Sequence, residues 1–409
     1  MSKIRILAVP SDSHGVGKFR ILDPFTYIGD NHSDEIHVDI VFDVPNSDDY
    51  FSNYDIVVFH SFIHKRNHEE NLKRIGWLKE NGIKVVMDTD DFWRVDQRHP
   101  NYETFKKNEL AKKRVELLRS VDYVTTTTSI YRDTIKKSLN IKNVEIFPNA
   151  VNENESQFKP NPIKSEKVRF GWLGGSSHQH DLELLRGGIS QTQNQFKDKV
   201  QFVLCGFDVR GNMREINKLT GEVRERPIRP EETVWARYEE IFTNRYNSVS
   251  EEYGNFLKTY QNTSYPNDLD QPYVRRWTMD INKYATNYNY FDVSLAPIVS
   301  TEFNHNKSQL KVIEAGFHKK AIIASAENPY LIDLVSGYEN GNFTENGNSL
   351  LVQSSKNHKQ WNQHMKRLIE NPNMITDLGN RLYETVKDKY SLSTVSKNRV
   401  EFFKSIINK

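Results

Sequence analysis

Cysteine is almost missing from this chain: Cys205 is the single one in 409 residues. That excludes a disulfide framework within the chain and suits a reducing compartment. Charge of one sign is missing too. With 56 Lys and Arg against 54 Asp and Glu, the formal charge is only +2, so no strong polyanion-binding field is implied, although a local basic patch remains open. Long apolar runs are absent. The opening "MSKIRILAVPSD" holds an apolar stretch too short for a signal peptide, and no run approaches the roughly 20 residues of a membrane-spanning helix. These absences predict a soluble, cytoplasmic protein. Standard nucleotide and metal signatures are lacking as well. "SDSHGVGKFR" has Asp12 where a Walker loop needs its first glycine, and Arg20 where a dinucleotide fingerprint needs its third. His60, His64 and His68 are spaced by four, but Lys65 replaces the glutamate of a zincin motif.

What is present is enough for two or three domains. A hydrophobic content of 37% with 11% aromatics supports sizeable cores, and 27% charged residues indicate a wet surface. "KIRILAVP" reads as a first parallel strand, followed by "VDIVFDV", "YDIVVFH", "IKVVMDTD", "DYVTTTT" and "NVEIFPN". Helical patterns lie between most of them, notably over 69–81 and 103–120. Such alternation predicts an α/β domain with a doubly wound parallel sheet over 1–152. A polar linker follows over 153–166, and the alternation restarts in a second domain over 167–388 with "VRFGWLGG", "VQFVLCGF", "DVSLAP", "AIIAS" and "SLLVQ". Residues 207–275, rich in charge, Tyr and Asn, read as an elaboration of that domain, with "PEETVWARYEEIFTNRY" helical. Helices are expected at 356–371, 373–389 and 393–407, the C-terminal segment 389–409 packing back on the first domain.

Three stretches carry chemistry. The first loop puts His14, Gly15, Gly17, Lys18 and Arg20 at a strand-to-helix turn, where a ligand-contacting role competes with a plain tight turn. In the second, "GWLGGSSHQHD", Gly174 and Gly175 allow a ligand close to the backbone, and Ser176, Ser177 and His178 add polar groups near a helix start. The third is "FNHNKSQLKVIEAGFHKKAIIAS". Leu310, Ile313 and Phe317 form one apolar helix face, and Lys307 and Ser308 lie at the N-terminus, where free N–H groups and the dipole favour an anion. Glu314, two turns on, can accept hydroxyl hydrogen bonds; the competing reading is a capped helix with a solvated acid. Asp88 and Asp90 in "MDTDDFW" could hold a divalent metal, but capping and facing an interdomain cleft is the favoured reading, and no metal is expected.

Over nearly its whole length the chain resembles GT-B glycosyltransferases, closest to the retaining family 4 group. "VTTTTSIYRDTIKK" and "VEIFPNAVN" resemble the end of that family's first domain, and "FGWLGGSSHQHDLELL" the opening of its donor domain. "DVSLAPIVSTEFNHNKSQLKVIEAGFHKKAIIAS" is the most specific match. The family carries two glutamates in that region; Glu314 fits the second, and Asn306 stands at the first. The family's Arg and Lys pair is not clearly present, leaving Lys307, or Arg275 and Arg276, to supply positive charge. The resemblance implies two Rossmann-like domains facing across a cleft. It implies transfer of a sugar from a nucleotide diphosphate to an acceptor hydroxyl, with retention and without metal or cofactor. Lys307, His178 and Asp90 would serve catalysis. Gly174, Gly175, Ser176, Asn306, Ser308, Glu314 and a stacking Trp277 would bind the donor, and His14, Gly15, Gly17, Lys18 and Arg20 would face the acceptor. That acceptor would be a glycan or a hydroxymethylated DNA base, since the Lys/Asn-rich composition is similar to that of phage-encoded members. A sugar-nucleotide epimerase of the same fold and a non-catalytic glycan- or nucleic-acid-binding module are the alternatives; oligomeric state is left open.

Overall fold

The computed structural model describes residues 3–65, 67–209, 211–216, 221–243, 272–354 and 357–408. Short β-branched runs build a first sheet of six parallel strands: β1 (Ile4–Val9), β2 (Ile36–Ile40), β3 (Ile56–His60), β4 (Lys84–Asp88), β5 (Tyr123–Thr126) and β6 (Val144–Ile146). Their order is β2-β1-β3-β4-β5-β6. All five residues of β3, "IVVFH", are buried, as a central parallel strand requires when helices cover both faces. The second sheet uses β7 (Val168–Leu173), β8 (Val200–Phe207), β11 (Tyr273–Trp277), β12 (Val293–Ala296), β13 (Ala321–Ser325) and β16 (Leu350–Val352), in the order β11-β8-β7-β12-β13-β16. Two small hairpins, β9 (Asn212–Ile216) with β10 (Val223–Pro227) and β14 (Tyr338–Glu339) with β15 (Asn342–Phe343), stand apart from it.

Each sheet reverses its winding once, at β1/β3 and at β7/β12. The crevice beyond the carboxyl ends of strands at such a switch point is where open α/β sheets bind ligands. The two glycine loops follow β1 and β7, so the topology aims both at one place.

Several elements differ from the sequence reading. "YVRRW" is a strand, β11, pairing in parallel with β8. Helix Val234–Thr243 buries Trp235 and Tyr238 against the same sheet, so the described part of 207–275 contributes a helix to that sheet's core. The rest of that elaboration, 217–220 and 244–271, lies outside the described residues. The helix expected over 103–120 is two, Tyr102–Lys107 and Leu110–Ser120, parted at Glu109, whose φ of 52° is left-handed. The helix expected over 69–81 runs His68–Glu80, with the Asn67 side chain capping the Glu70 N–H.

The last helix, Leu392–Ile407, returns to the first domain. Val400, Phe403 and Ile406 join the core formed by Ile6, Ala8 and Phe25, and the Phe403 and Phe25 rings lie 5.7 Å apart. Where the chain crosses between domains, Val151 and Ser391 form a parallel bridge, so the two crossings run side by side.

Candidate active site

A cleft of about 890 Å³ opens between the domains at the two switch points. On the first-domain side, the Asp12 carboxylate accepts the backbone N–H groups of His14 (2.8 Å) and Gly17 (3.2 Å), which pins the turn after β1. A Cβ on Gly17 would lie 1.8 Å from the Asp12 carbonyl oxygen, so only glycine fits. The pinned turn presents His14 and Gly15 to the cleft. Lys18 and Arg20 are a correction to the sequence reading, because neither lines it. Lys18 is buried in ion pairs with Asp23 (2.9 Å) and Glu155 (2.8 Å), tying the first helix to the linker. Arg20 is fully buried, forked onto Asp88 at 2.8 and 2.7 Å, with Asn149 Oδ1 at 3.1 Å.

That fork separates the acids of "MDTDDFW". Asp88 is interior and structural, whereas Asp90 and Asp91 line the cleft. Burial pushes the Asp90 carboxyl up, but the hydrogen bond from His60 (3.0 Å) and the charges of His60, Arg20 and Arg114 outweigh it and leave it at about 2. The three histidines go separate ways. His60 binds Asp90 and Ser11, His64 packs edge-on against Phe51, and His68 meets Glu116 at 2.7 Å. Among the described residues no group of three or more His, Cys, Asp or Glu could hold a metal ion.

On the second-domain side, the loop after β7 brings Gly174, Gly175, Ser177 and His178 to the cleft. Ser176 lies in the same loop and gives its carbonyl to the Tyr238 hydroxyl at 3.0 Å. Two features missed in the sequence shape this loop. Gly206, at φ +98°, lets β8 pass so close that a Cβ would stand 2.3 Å from the Gly174 carbonyl oxygen. Lys311 reaches beneath the loop to the Leu173 carbonyl and over the Trp172 ring, 5.0 Å from its centroid. Burial, with Lys307 nearby, pushes its amine down to about 8. Its position in the first turn of the helix, four residues after Lys307, was the available signal. His178 holds Asp181 through Nδ1 at 2.8 Å, and burial pushes its imidazole down to about 4. At neutral pH it is therefore an uncharged ring able to meet a sugar hydroxyl, not a cation for phosphate.

The third stretch is two helices, Glu302–His305 and Leu310–Phe317. Lys307 and Ser308 sit just before the second and line the cleft. Ser308 Oγ accepts from Asn149 of the first domain at 2.9 Å, and Lys307 Nζ lies 4.8 Å from the Phe303 ring centroid. Asn306 does not line the cleft; it is buried and donates to the Glu302 carbonyl at 2.8 Å. Glu314 does line it, but is not solvated: both its oxygens accept tyrosine hydroxyls, from Tyr284 and, at 3.1 Å, from Tyr288. Burial raises its carboxyl, and the hydroxyls together with Lys311 only partly oppose this.

The remaining sequence candidates point elsewhere. Trp277 packs against Phe207 in the core, with ring centroids 5.0 Å apart, while Thr278, Met279, Asp280 and Ile281 after it face the cleft. Arg275 pairs with buried Glu239 at 2.6 Å, and Arg276 donates to Asn287 at 3.0 Å, so neither offers its charge to the cleft.

No protein-family model and no curated protein matches the chain. Solved structures do. HepE of Anabaena in complex with UDP and glucose superposes with a TM-score of 0.62 at 11% identity, over 98% of this chain and 100% of that one. The fold is GT-B. A UDP-forming α,α-trehalose-phosphate synthase from Burkholderia vietnamiensis shares it with a TM-score of 0.50 at 12% identity, over 85% of this chain and 71% of that one. So does a Listeria monocytogenes protein assigned as a UDP-N-acetylglucosamine 2-epimerase, at 0.52 and 7% identity, over 100% of this chain and 97% of that one.

Glu314 gives the first test of the site. If its carboxylate also serves ribose hydroxyls, Glu314→Gln removes a charged acceptor, a contact worth roughly 1.5–3 kcal/mol. UDP binding measured by calorimetry should weaken about ten- to a hundred-fold. Wild-type affinity would leave Glu314 as a support for the two tyrosines.

Proposed function

We propose that the chain is a glycosyltransferase that moves a sugar from a nucleotide diphosphate to an acceptor hydroxyl. The observation that carries this reading is the facing pair at the second switch point, the Gly174–Ser177 loop and the Lys307–Ser308 corner, which suits a diphosphate. Negative charge grows on the leaving diphosphate, so fixed N–H groups and the Lys307 ammonium lower the barrier without a metal. Thr278 to Ile281 would flank the base and Glu314 the ribose. The acceptor would enter past His14 and Gly15. Closure of the domains, already bridged by Asn149 and Ser308, would keep water from the donor.

The resemblance to family 4 supports retention, in which the departing phosphate itself receives the acceptor proton. A glycan or a hydroxymethylated DNA base is the acceptor class, in the cytoplasm of a cell or of a phage's host. The epimerase likeness favours a second reading, and product analysis with donor alone separates the two: an epimerised sugar nucleotide against free diphosphate.

Thermal melting against UDP, GDP, ADP and dTDP checks the donor reading. A nucleotide at a hundred times its Kd should stabilise the protein by about 2.7 kcal/mol. No shift with any of them would remove the reading. Turnover should survive EDTA; complete loss restored by manganese would return Asp90 to the role of a metal ligand.

A further inference from the structure

The diphosphate grip depends on Lys307, and an ammonium on a long, flexible stem is a mobile charge unless something holds it. Among the described residues its Nζ makes no ion pair; it rests over the face of the Phe303 ring, 4.8 Å from the centroid. That ring is seated in the other domain. Phe303 is buried in the apolar cluster of the first sheet, where every other member, from Leu7 to Val144, belongs to the first domain. The His99 ring packs edge to face against it, with centroids 5.3 Å apart and planes at 63°.

The short helix Glu302–His305 that carries Phe303 is tied to the second domain by the next residue. The Thr301 hydroxyl caps the Asn304 N–H at 3.1 Å. The Asn304 amide donates to the Val299 carbonyl at 2.9 Å and to Asp181, in the helix after the glycine loop, at 3.3 Å. The Lys307 N–H returns to the Asn304 carbonyl at 3.2 Å. Adjacent side chains thus anchor opposite domains, and the backbone of Lys307 is fixed to both.

We propose that Phe303 is the positioning residue of the diphosphate site: from its seat in the first domain, the ring face holds the Lys307 ammonium at the cleft. The proposal rests on the donor reading above. A ring face attracts a cation through its quadrupole without neutralising it, whereas a carboxylate in the same place would compete with the phosphate. The ring also removes rotamers that the stem would otherwise sample, so less entropy is lost when phosphate arrives.

UDP and UMP differ by the terminal phosphate, which carries the charge that a departing diphosphate acquires. The ratio of their dissociation constants therefore reads the grip of Lys307 without any turnover. Calorimetry on the full chain measures it with UDP and UMP, and with the GDP/GMP, ADP/AMP and dTDP/dTMP pairs. Phe303→Leu keeps an apolar side chain in the first-domain seat but has no ring face. It should lower the preference for diphosphate about three- to thirty-fold, with monophosphate affinity within about threefold as the check on folding. In a Lys307→Ala background the same change should leave the ratio as it was, because the charge that the ring places is already gone. An unchanged ratio in Phe303→Leu, or equal losses of mono- and diphosphate affinity, would overturn the proposal and leave Phe303 as an apolar plug between the domains. So would a Phe303→Leu effect that persists in full without Lys307. Wild type that holds mono- and diphosphates alike would remove Lys307 from the diphosphate, and the proposal with it. Wild type that binds none of the nucleotides would instead sink the donor reading on which the proposal stands.

Discussion

Asp88→Asn should destabilise the protein by about 3–5 kcal/mol, because removing one partner of a buried ion pair leaves the other charge uncompensated. Asp88 is wholly buried; its oxygens take the Arg20 fork and the Thr125 hydroxyl at 2.6 Å, and Arg399 of the last helix lies 4.0 Å away. Asparagine would leave two interior guanidinium groups without their shared counter-charge. Urea unfolding followed by circular dichroism measures the loss, and a change below about 1 kcal/mol would contradict the account. The pH dependence has a definite sign. Burial raises the Asp88 carboxyl, but Arg20 and then Arg399 outweigh it, so its folded value lies below the ordinary 3.8. Its contribution is therefore complete above that value and lost as pH falls through the lower, folded one. Wild type should lose stability at acid pH more steeply than Asp88→Asn.

Lys307→Ala should act on rate instead of stability. In the donor reading its ammonium, at the cleft wall, opposes the charge that grows on the leaving group, and removing one such preorganised group costs roughly 100- to 1,000-fold in turnover. Affinity for the intact nucleotide sugar should fall by less, since in the ground state its diphosphate keeps the loop N–H groups and carries less charge at the bond that will break. Single-turnover kinetics beside calorimetry separates the two. Equal losses in binding and rate would make Lys307 a plain binding group, and no loss in either would leave Lys307 outside the site. The melting temperature should hardly move, since this half-exposed side chain fills no core space.

Much of the molecule was legible before any coordinates. The repeated "IVVF", "KVVM" and "AIIA" runs, separated by amphipathic stretches, called for parallel sheets covered on both faces, and the strands lie where the runs are. The glycines after β1 and β7, and the lysine and serine ahead of Leu310, marked three segments that do line the cleft. β11 escaped because two of its five residues are arginines, which read as surface. Each meets its partner only in the fold: Glu239 lies 36 positions before Arg275, and Asn287 lies 11 after Arg276.

The distribution of hydrophobic and turn-forming residues determined by itself that this chain makes two doubly wound halves and which loops open onto the cleft between them. Period and punctuation are local properties, and local properties survive in one dimension. What only the tertiary structure decided is which of several similar charges face that opening. Arg20 and Lys18 share a loop with His14, yet carboxylates 68 and 137 residues away draw both inside. Asp88, Asp90 and Asp91 stand within four residues, yet Asp88 becomes an interior anchor, Asp90 pairs with His60, and both Asp90 and Asp91 line the cleft. A charge takes its role from the burial and partners around it, and those are set by residues that only folding brings near.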